Sequence, residues 1–314
     1  MTFVTLDEIT AARERINGVA RVTPLIDVSA IAGRPLFLKC ENMQPGGAFK
    51  IRGAYNMIAQ LPATERSRGV ITFSSGNHGQ AVAISARALG APAVVVMPTT
   101  APSVKVEGAK AFGADVVFAG TTTLHRKAKA EAIAAERGLT MVPPFDHEWI
   151  IAGQGTLGLE ILEQCPGVRT VLAPIGGGGL VAGVAAAIKQ SRTDVAVVGV
   201  EPSGAASMKT SIDAGEVRTL DRTESMADGL MAVRPGDLNF AHVRTFVDRI
   251  DTVEEDEIAS ALRWLFGEAK IVAEPSGSVT VAAALRGAGS YTPPVVAIIS
   301  GGNLDPTVLA KYLS

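Results

Sequence analysis

Cysteine is scarce in this chain of 314 residues. The two present, Cys40 and Cys165, follow no metal-binding or redox-pair spacing, which excludes a disulfide framework and makes a reducing cytoplasm the simplest compartment. An excess of either charge is also missing: 29 Lys and Arg stand against 31 Asp and Glu, mixed along the chain, for a net charge of −2. A nucleic-acid binder or a membrane-surface protein would need a basic footprint that is not there. No apolar run reaches transmembrane length. The first residues, Met1 to Glu8, lack a basic stretch ahead of an apolar core, so they are no secretory signal. Internal repeats and disordered linkers are absent too, and any domain boundary must be compact.

What is present is apolar sequence, 47% of residues, and 33 glycines concentrated in loops. Thr5 and Glu8 form a capping box that opens a helix to about residue 16. Residues 35–40 read as a strand leading into a glycine-rich turn. Strands and helices then alternate. Strands fall at 70–73, 93–97, 115–118, 170–175, 195–200 and 295–299. Helices fall at 80–89, 104–112, 124–137, 155–164 and 180–190, and Thr252 with Glu255 caps another. Strands this continuously apolar belong to parallel sheets covered on both faces. The expected fold is α/β, with a smaller unit at 52–145 inserted in a larger one built from 1–51 and 146–314. Ligands of such sheets bind beyond the carboxyl ends of the strands.

Four loops there carry candidate chemistry. The first is Pro45-Gly46-Gly47-Ala48-Phe49-Lys50, just ahead of a helix-forming run. A lysine beside the positive end of a helix, with an aromatic neighbour, is disfavoured as an ammonium, and a neutral lysine near pH 7 is a nucleophile for carbonyls. The second, Gly176-Gly177-Gly178-Gly179-Leu180, lies between a strand and a helix, where backbone N–H groups cradle a phosphate. It also fits a dinucleotide fingerprint, Gly177-x-Gly179-x-x-Ala182 with Glu201 further on, so a dinucleotide and a simple phosphate both remain open. The third, Ser74-Ser75-Gly76-Asn77-His78-Gly79, offers hydroxyls, an amide, an imidazole and N–H donors suited to a carboxylate or a ring hydroxyl. The last is Ser300-Gly301-Gly302-Asn303, whose serine is either a cap or a partner to one ring atom of a cofactor.

Together these loops resemble the fold-type II pyridoxal-phosphate enzymes, in their serine/threonine dehydratase and serine racemase branch. The resemblance runs from Val22-Thr23-Pro24-Leu25 to Ser300-Gly301-Gly302-Asn303. Glu41, Gly46, Ala48, Phe49, Lys50, Arg52 and Gly53 stand where the family signature has them. The sulfhydrylase branch usually has Thr where this chain has His78. The resemblance implies two parallel-sheet domains of the tryptophan synthase β type, a homodimer, and pyridoxal 5'-phosphate bound to Lys50 as a Schiff base. It implies that Gly176 to Leu180 hold the phosphate, Asn77 the ring hydroxyl, Phe49 the ring face and Ser300 the ring nitrogen. Ser74, Ser75, Asn77 and His78 would hold the substrate carboxylate. Lys50 would take the Cα proton, and Ser75 a proton on the opposite face, which makes racemisation a side reaction. The expected activity is removal of the β-hydroxyl from a 3-hydroxy amino acid of the threonine or serine type, giving a 2-oxo acid and ammonia. A hydroxyl at Ser300 keeps the ring a weaker electron sink than a carboxylate would, which favours elimination over transamination. A serine racemase is the alternative on the same scaffold. A dinucleotide-dependent oxidoreductase and a non-catalytic amino-acid sensor stand further off.

Further expectations concern the surroundings. Arg126 and Asp228 look like an interdomain pair. The stretch Met226–Met231 is expected in the pocket wall. Members of this branch often bind a divalent cation through the acidic residue of Glu-Pro-Ser and another six positions on. Here Glu201 is present but position 207 is Ser207, so no metal site is expected. His147 and Glu148 are expected at the surface. The chain ends soon after the last loop, so no C-terminal regulatory domain and a catabolic role are expected.

Overall fold

The structure, a computed structural model, describes residues 2–313 except Ser75, Pro102 and Ala288. Ten strands form two sheets. In chain order they are β1 (Leu25–Asp27), β2 (Leu36–Cys40), β3 (Val70–Thr72), β4 (Ala93–Met97), β5 (Asp115–Phe118), β6 (Thr140–Met141), β7 (Thr170–Pro174), β8 (Ala196–Pro202), β9 (Arg249–Val253) and β10 (Val295–Ile299). The larger sheet has the order β1-β2-β10-β7-β8-β9 and the smaller β5-β4-β3-β6. The smaller sheet is parallel throughout, and its strands fall between β2 and β7 of the larger one. The chain is therefore an α/β fold in which a smaller domain is inserted in a larger. The short edge strand β1 pairs antiparallel with β2; every other pairing in the larger sheet is parallel.

The central strands of both sheets, β2, β10, β7 and β8 in the larger and β3 and β4 in the smaller, are buried on both faces because they are largely apolar at successive positions; the edge strands are partly exposed. In the larger sheet, Leu172, Val198, Ala297 and Ile299 face the helices Glu255–Gly267 and Pro275–Arg286. Their neighbours Val171, Val197, Val296 and Ile298 face Glu148–Gln164 and Gly179–Ser191. The smaller sheet divides the same way. Val70, Val95 and Met97 lie toward Lys50–Gln60 and Asn77–Ala88, while Ile71, Val94 and Val96 lie toward Thr123–Arg137. The four chemistry-bearing loops leave the carboxyl ends of β2, β3, β7 and β10.

Several boundaries depart from the sequence expectation. Thr5 and Glu8 do form a capping box. The later box is Glu254 with Glu257; Thr252 lies in β9, an edge strand whose polar residues Arg249, Asp251 and Thr252 hid it. The helix expected at 155–164 begins at Glu148, and His147 is its N-cap, with Nδ1 accepting from the Trp149 amide at 3.1 Å. His147 is thus a half-buried cap rather than a surface residue, whereas Glu148 is exposed. Arg126 does not reach Asp228. Its guanidinium donates to Thr121 O and Thr123 Oγ1, because it lies in the first turn of its own helix. Among the described residues no helix is long and apolar enough to cross a membrane.

Candidate active site

Lys50 opens its helix behind a turn that needs two left-handed residues, Gly46 (φ 77°) and Gly47 (φ 71°). The turn is held against the last loop by backbone bonds. Phe49 N donates to Ser300 O (3.1 Å), Gly302 N to Gly47 O (2.9 Å), and Ala48 bridges Gly301. This fixes the base of the lysine. Its Nζ donates to Pro144 O at 2.7 Å and lies 5.1 Å from the Phe49 ring centroid. The acceptor is a neutral carbonyl. Burial without an opposing anion brings the Lys50 amine down to about 8.

Behind the same helical turn the charges are fully paired. Arg52, with no exposed surface, donates to both oxygens of Glu41 (2.7 and 2.9 Å) and of Glu160 (2.6 and 2.9 Å). Lys39 adds a bond to Glu160 at 2.6 Å, and Thr23 Oγ1 one to Glu41 at 2.6 Å. Burial alone would raise the Glu41 carboxyl, but Arg52 beside it holds it below the ordinary range. Glu41 and Arg52 carry the family signature, and the structure gives the reason: they clamp the turn that presents Lys50.

The glycine loop lies beyond Pro144. Phe145 packs its ring where a Cβ on Gly177 would stand, and Gly178 takes a left-handed φ of 97°. The loop is anchored from below, where Asn239 Nδ2 and Gly236 N donate to Gly177 O at 2.8 and 3.1 Å. Asp146 in turn accepts from the amides of Asp237, Leu238 and Asn239. The amides of Gly176, Gly177 and Gly178 find no backbone acceptor among the described residues. Leu180 packs its side chain into the core, so only its backbone can serve the cradle.

Asn77 and His78 lie in the first turn of a helix, not in a free loop. Asn77 Nδ2 donates to Glu274 Oε1 at 2.6 Å, and its Oδ1 accepts from Asn303 Nδ2 at 2.9 Å. His78 is buried with Nε2 3.1 Å from Val142 O, so Nε2 carries the proton. Burial, and then the nearby Lys50 charge, push this imidazole down to about 3, which keeps it neutral at any working pH. Ser74 Oγ accepts from Gly76 N at 3.4 Å. Ser75 lies outside the described residues. Ser300, 4% exposed, has its Oγ 3.4 Å from Ser276 O. The expected residues therefore meet at one place, Ser75 aside. Residues 142–146, which link Val142, Pro144, Phe145 and Asp146 to three of the loops, went unread in the sequence, as did Glu274; Asn303 was read only as part of the last loop, without its bond to Asn77. A proline at the first position of a helix, Pro275, was the available sign that Glu274 ends a loop at the site. The Met226–Met231 stretch runs beside the glycine loop, where Leu230 Cα and Gly229 O would meet a Cβ on Gly176; Met226 packs against the core and Met231 is exposed.

Pyridoxal phosphate fits this donor set. The three open amides suit a phosphate, the buried amine an aldehyde, and the hydroxyl of Ser300 a ring nitrogen. Glu201 alone is a thin site for a divalent cation. Both carboxylate oxygens already accept backbone amides, from Met208 (2.9 Å) and Lys209 (2.8 Å), and Ser207 offers no second carboxylate.

The family model for pyridoxal-phosphate dependent enzymes matches residues 16–301. An L-threonine ammonia-lyase of Thermotoga maritima is 40% identical over 99% of this chain and 78% of its own length. A serine racemase of Oryza sativa subsp. indica is 40% identical over 98% of this chain and 93% of its own. Among solved structures, maize serine racemase superposes with a TM-score of 0.94 at 37% identity, covering 99% of this chain and 97% of that one.

Proposed function

The chain belongs to the pyridoxal-phosphate dependent enzymes, and on that premise we propose that it is an ammonia-lyase that removes the β-hydroxyl of threonine- or serine-type amino acids, giving a 2-oxo acid and ammonia. The observation that carries this is a buried amine, Lys50, whose hydrogen-bond partner among the described residues is a neutral carbonyl, next to three amides open among those residues. When bound, the cofactor supplies the electron sink for cleavage at Cα. The chain supplies the rest. Gly176 to Leu180 hold the anionic end by their amides. Phe49 covers a ring face and shuts out water. Asn77 meets the ring hydroxyl, and Ser300 meets the ring nitrogen with a group that cannot hold a proton on it. Ser74, Ser75, Asn77 and His78 receive the substrate carboxylate, His78 through its backbone amide because its one ring N–H is committed to Val142 O. Lys50, once free, takes the Cα proton as a neutral amine. Loss of the β-hydroxyl as water and hydrolysis then release the oxo acid and ammonia.

Racemisation on the same residues is the second reading, supported by the serine racemase relative that this chain matches nearly end to end. It would use Ser75 as the opposite-face acid. A panel of 3-hydroxy amino acids separates the readings: oxo acid and ammonia for the first, the opposite enantiomer for the second. We place the domain boundaries after residues 51 and 145, supported by the run of small-sheet strands between them. Two free, buried cysteines support a cytoplasmic setting. The homodimer follows the family pattern and is measured by light scattering.

A further inference from the structure

The interdomain hydrogen bonds of Asn77 join groups that the reaction above does not use. Asn77 begins a helix whose apolar face packs in the smaller domain. Its two partners, Glu274 and Asn303, belong to the larger domain. Glu274 is the N-cap of Pro275–Arg286, only 5% exposed, and its Oε1 crowds the space where a Cβ on Gly301 would stand. The carboxylate therefore lies against the Ser300–Gly301 turn, between the group assigned to the ring nitrogen and the one assigned to the ring hydroxyl.

A carboxylate can only accept, so it imposes one orientation on the amide: Nδ2 toward Glu274, Oδ1 toward Asn303. Asn303 Nδ2 also donates to Gly46 O at 2.7 Å, which ties the chain of bonds to the turn that carries Lys50. An amide nitrogen has two hydrogens. One is committed to Glu274, and the other remains for a ring oxygen.

We propose that Glu274 is a positioning residue for the cofactor: its carboxylate fixes the Asn77 amide so that its second N–H meets the ring hydroxyl in the ionised form. The inference rests on the cofactor assignment above. A neutral carboxamide at 274 gives up the charge-assisted bond, so the Asn77 amide is held only from the Asn303–Gly46 side and its second N–H can turn away from the ring oxygen. The hydroxyl then loses a donor that stabilises its anion, and its titration moves up in pH.

The test compares wild type with Glu274→Gln and Glu274→Asp, the latter keeping the charge while shortening its reach. Three quantities are read: the dissociation constant for pyridoxal phosphate by fluorescence titration, the pH dependence of the visible cofactor band, and the thermal midpoint without cofactor. A colourless wild type would overturn the cofactor assignment and the positioning role of Glu274 together. With a coloured wild type, both variants are expected to fold and to bind the cofactor on the order of tenfold more weakly. The band's titration should move upward in Glu274→Gln and stay near wild type in Glu274→Asp. Wild-type affinity and titration in Glu274→Gln would overturn the proposal. Failure of both variants to fold would overturn it as well, since the carboxylate would then be holding the domains and not the cofactor.

Discussion

Lys39 and Lys50 flank the same turn, and burial pushes both below the usual lysine range. Their partners differ. Lys39 Nζ reaches Glu160 Oε2 at 2.6 Å, Gln164 Oε1 at 2.8 Å and Thr23 O at 2.8 Å. Lys50 Nζ reaches one neutral carbonyl at 2.7 Å. An anion restores the charged form that burial disfavours; a carbonyl restores much less of it. The paired lysine locks strand β2 to the helix Glu148–Gln164, and the unpaired one keeps a proton that it can lose. Their acceptors alone thus separate a structural tie, Lys39, from the amine we propose as the nucleophile, Lys50.

Breaking the reactive side of this comparison has the largest effect. Lys50→Ala should abolish turnover, by at least about 10³-fold, with the thermal midpoint near or above wild type because a buried amine is gone. Lys39→Met should do the reverse, preserving the cofactor colour while destabilising the protein. Turnover assays and thermal melts on the pair check both. The next effect falls on the clamp behind the turn. Arg52→Ala leaves Glu41 and Glu160 buried without their main partner, at a cost of about 3–5 kcal/mol. Arg52→Lys should recover only part of it, since one ammonium cannot bond both carboxylates in the same fork. Denaturant unfolding measures this.

The amines can be sharpened by pH. Lys50, with a pKa lowered from 10.5 to about 8, presents its neutral form above about 8. Capture of pyridoxal phosphate by the cofactor-free protein should rise to a half-point near pH 8 and then level off, as followed by stopped-flow absorbance. The smallest effect belongs to Glu201, a buried carboxyl that burial raises from 4.5 to about 7 against the pull of two backbone amides. The folded state holds an extra proton between those values. The associated stability is complete below pH 4.5 and lost as pH rises through about 7. Glu201→Gln should flatten the stability profile across that window, by on the order of 1–3 kcal/mol.

Much of this site was legible because its chemistry depends on local runs of sequence. The strand Val295–Ile299 is apolar at every position, and the loops after β3 and β7 follow strands that are apolar but for one threonine each. Lys50 was legible from its turn, although the cause of its lowered pKa is burial more than the helix terminus. What stayed hidden was set by distant partners. Arg52 reads as a helix residue until Glu160 arrives from another helix. Asp146 reads as a loop residue until three amides of a helix far along the chain point at it. Strand β9, Arg249-Ile250-Asp251-Thr252-Val253, carries three polar residues on an edge, so it gave no continuous apolar run. Arg126 and Asp228 were paired on resemblance, and the local carbonyl and hydroxyl at Thr121 and Thr123 won the guanidinium instead.

The central claim, that Lys50 and not its buried neighbour bonds the cofactor, has a direct test. The protein is loaded with pyridoxal phosphate, reduced with borohydride, digested and mapped by mass. A visible band that disappears on reduction, with the added mass on the peptide bearing Lys50, is the predicted result. A protein that stays colourless, or one that carries the mass on Lys39 or a surface lysine, would contradict the account.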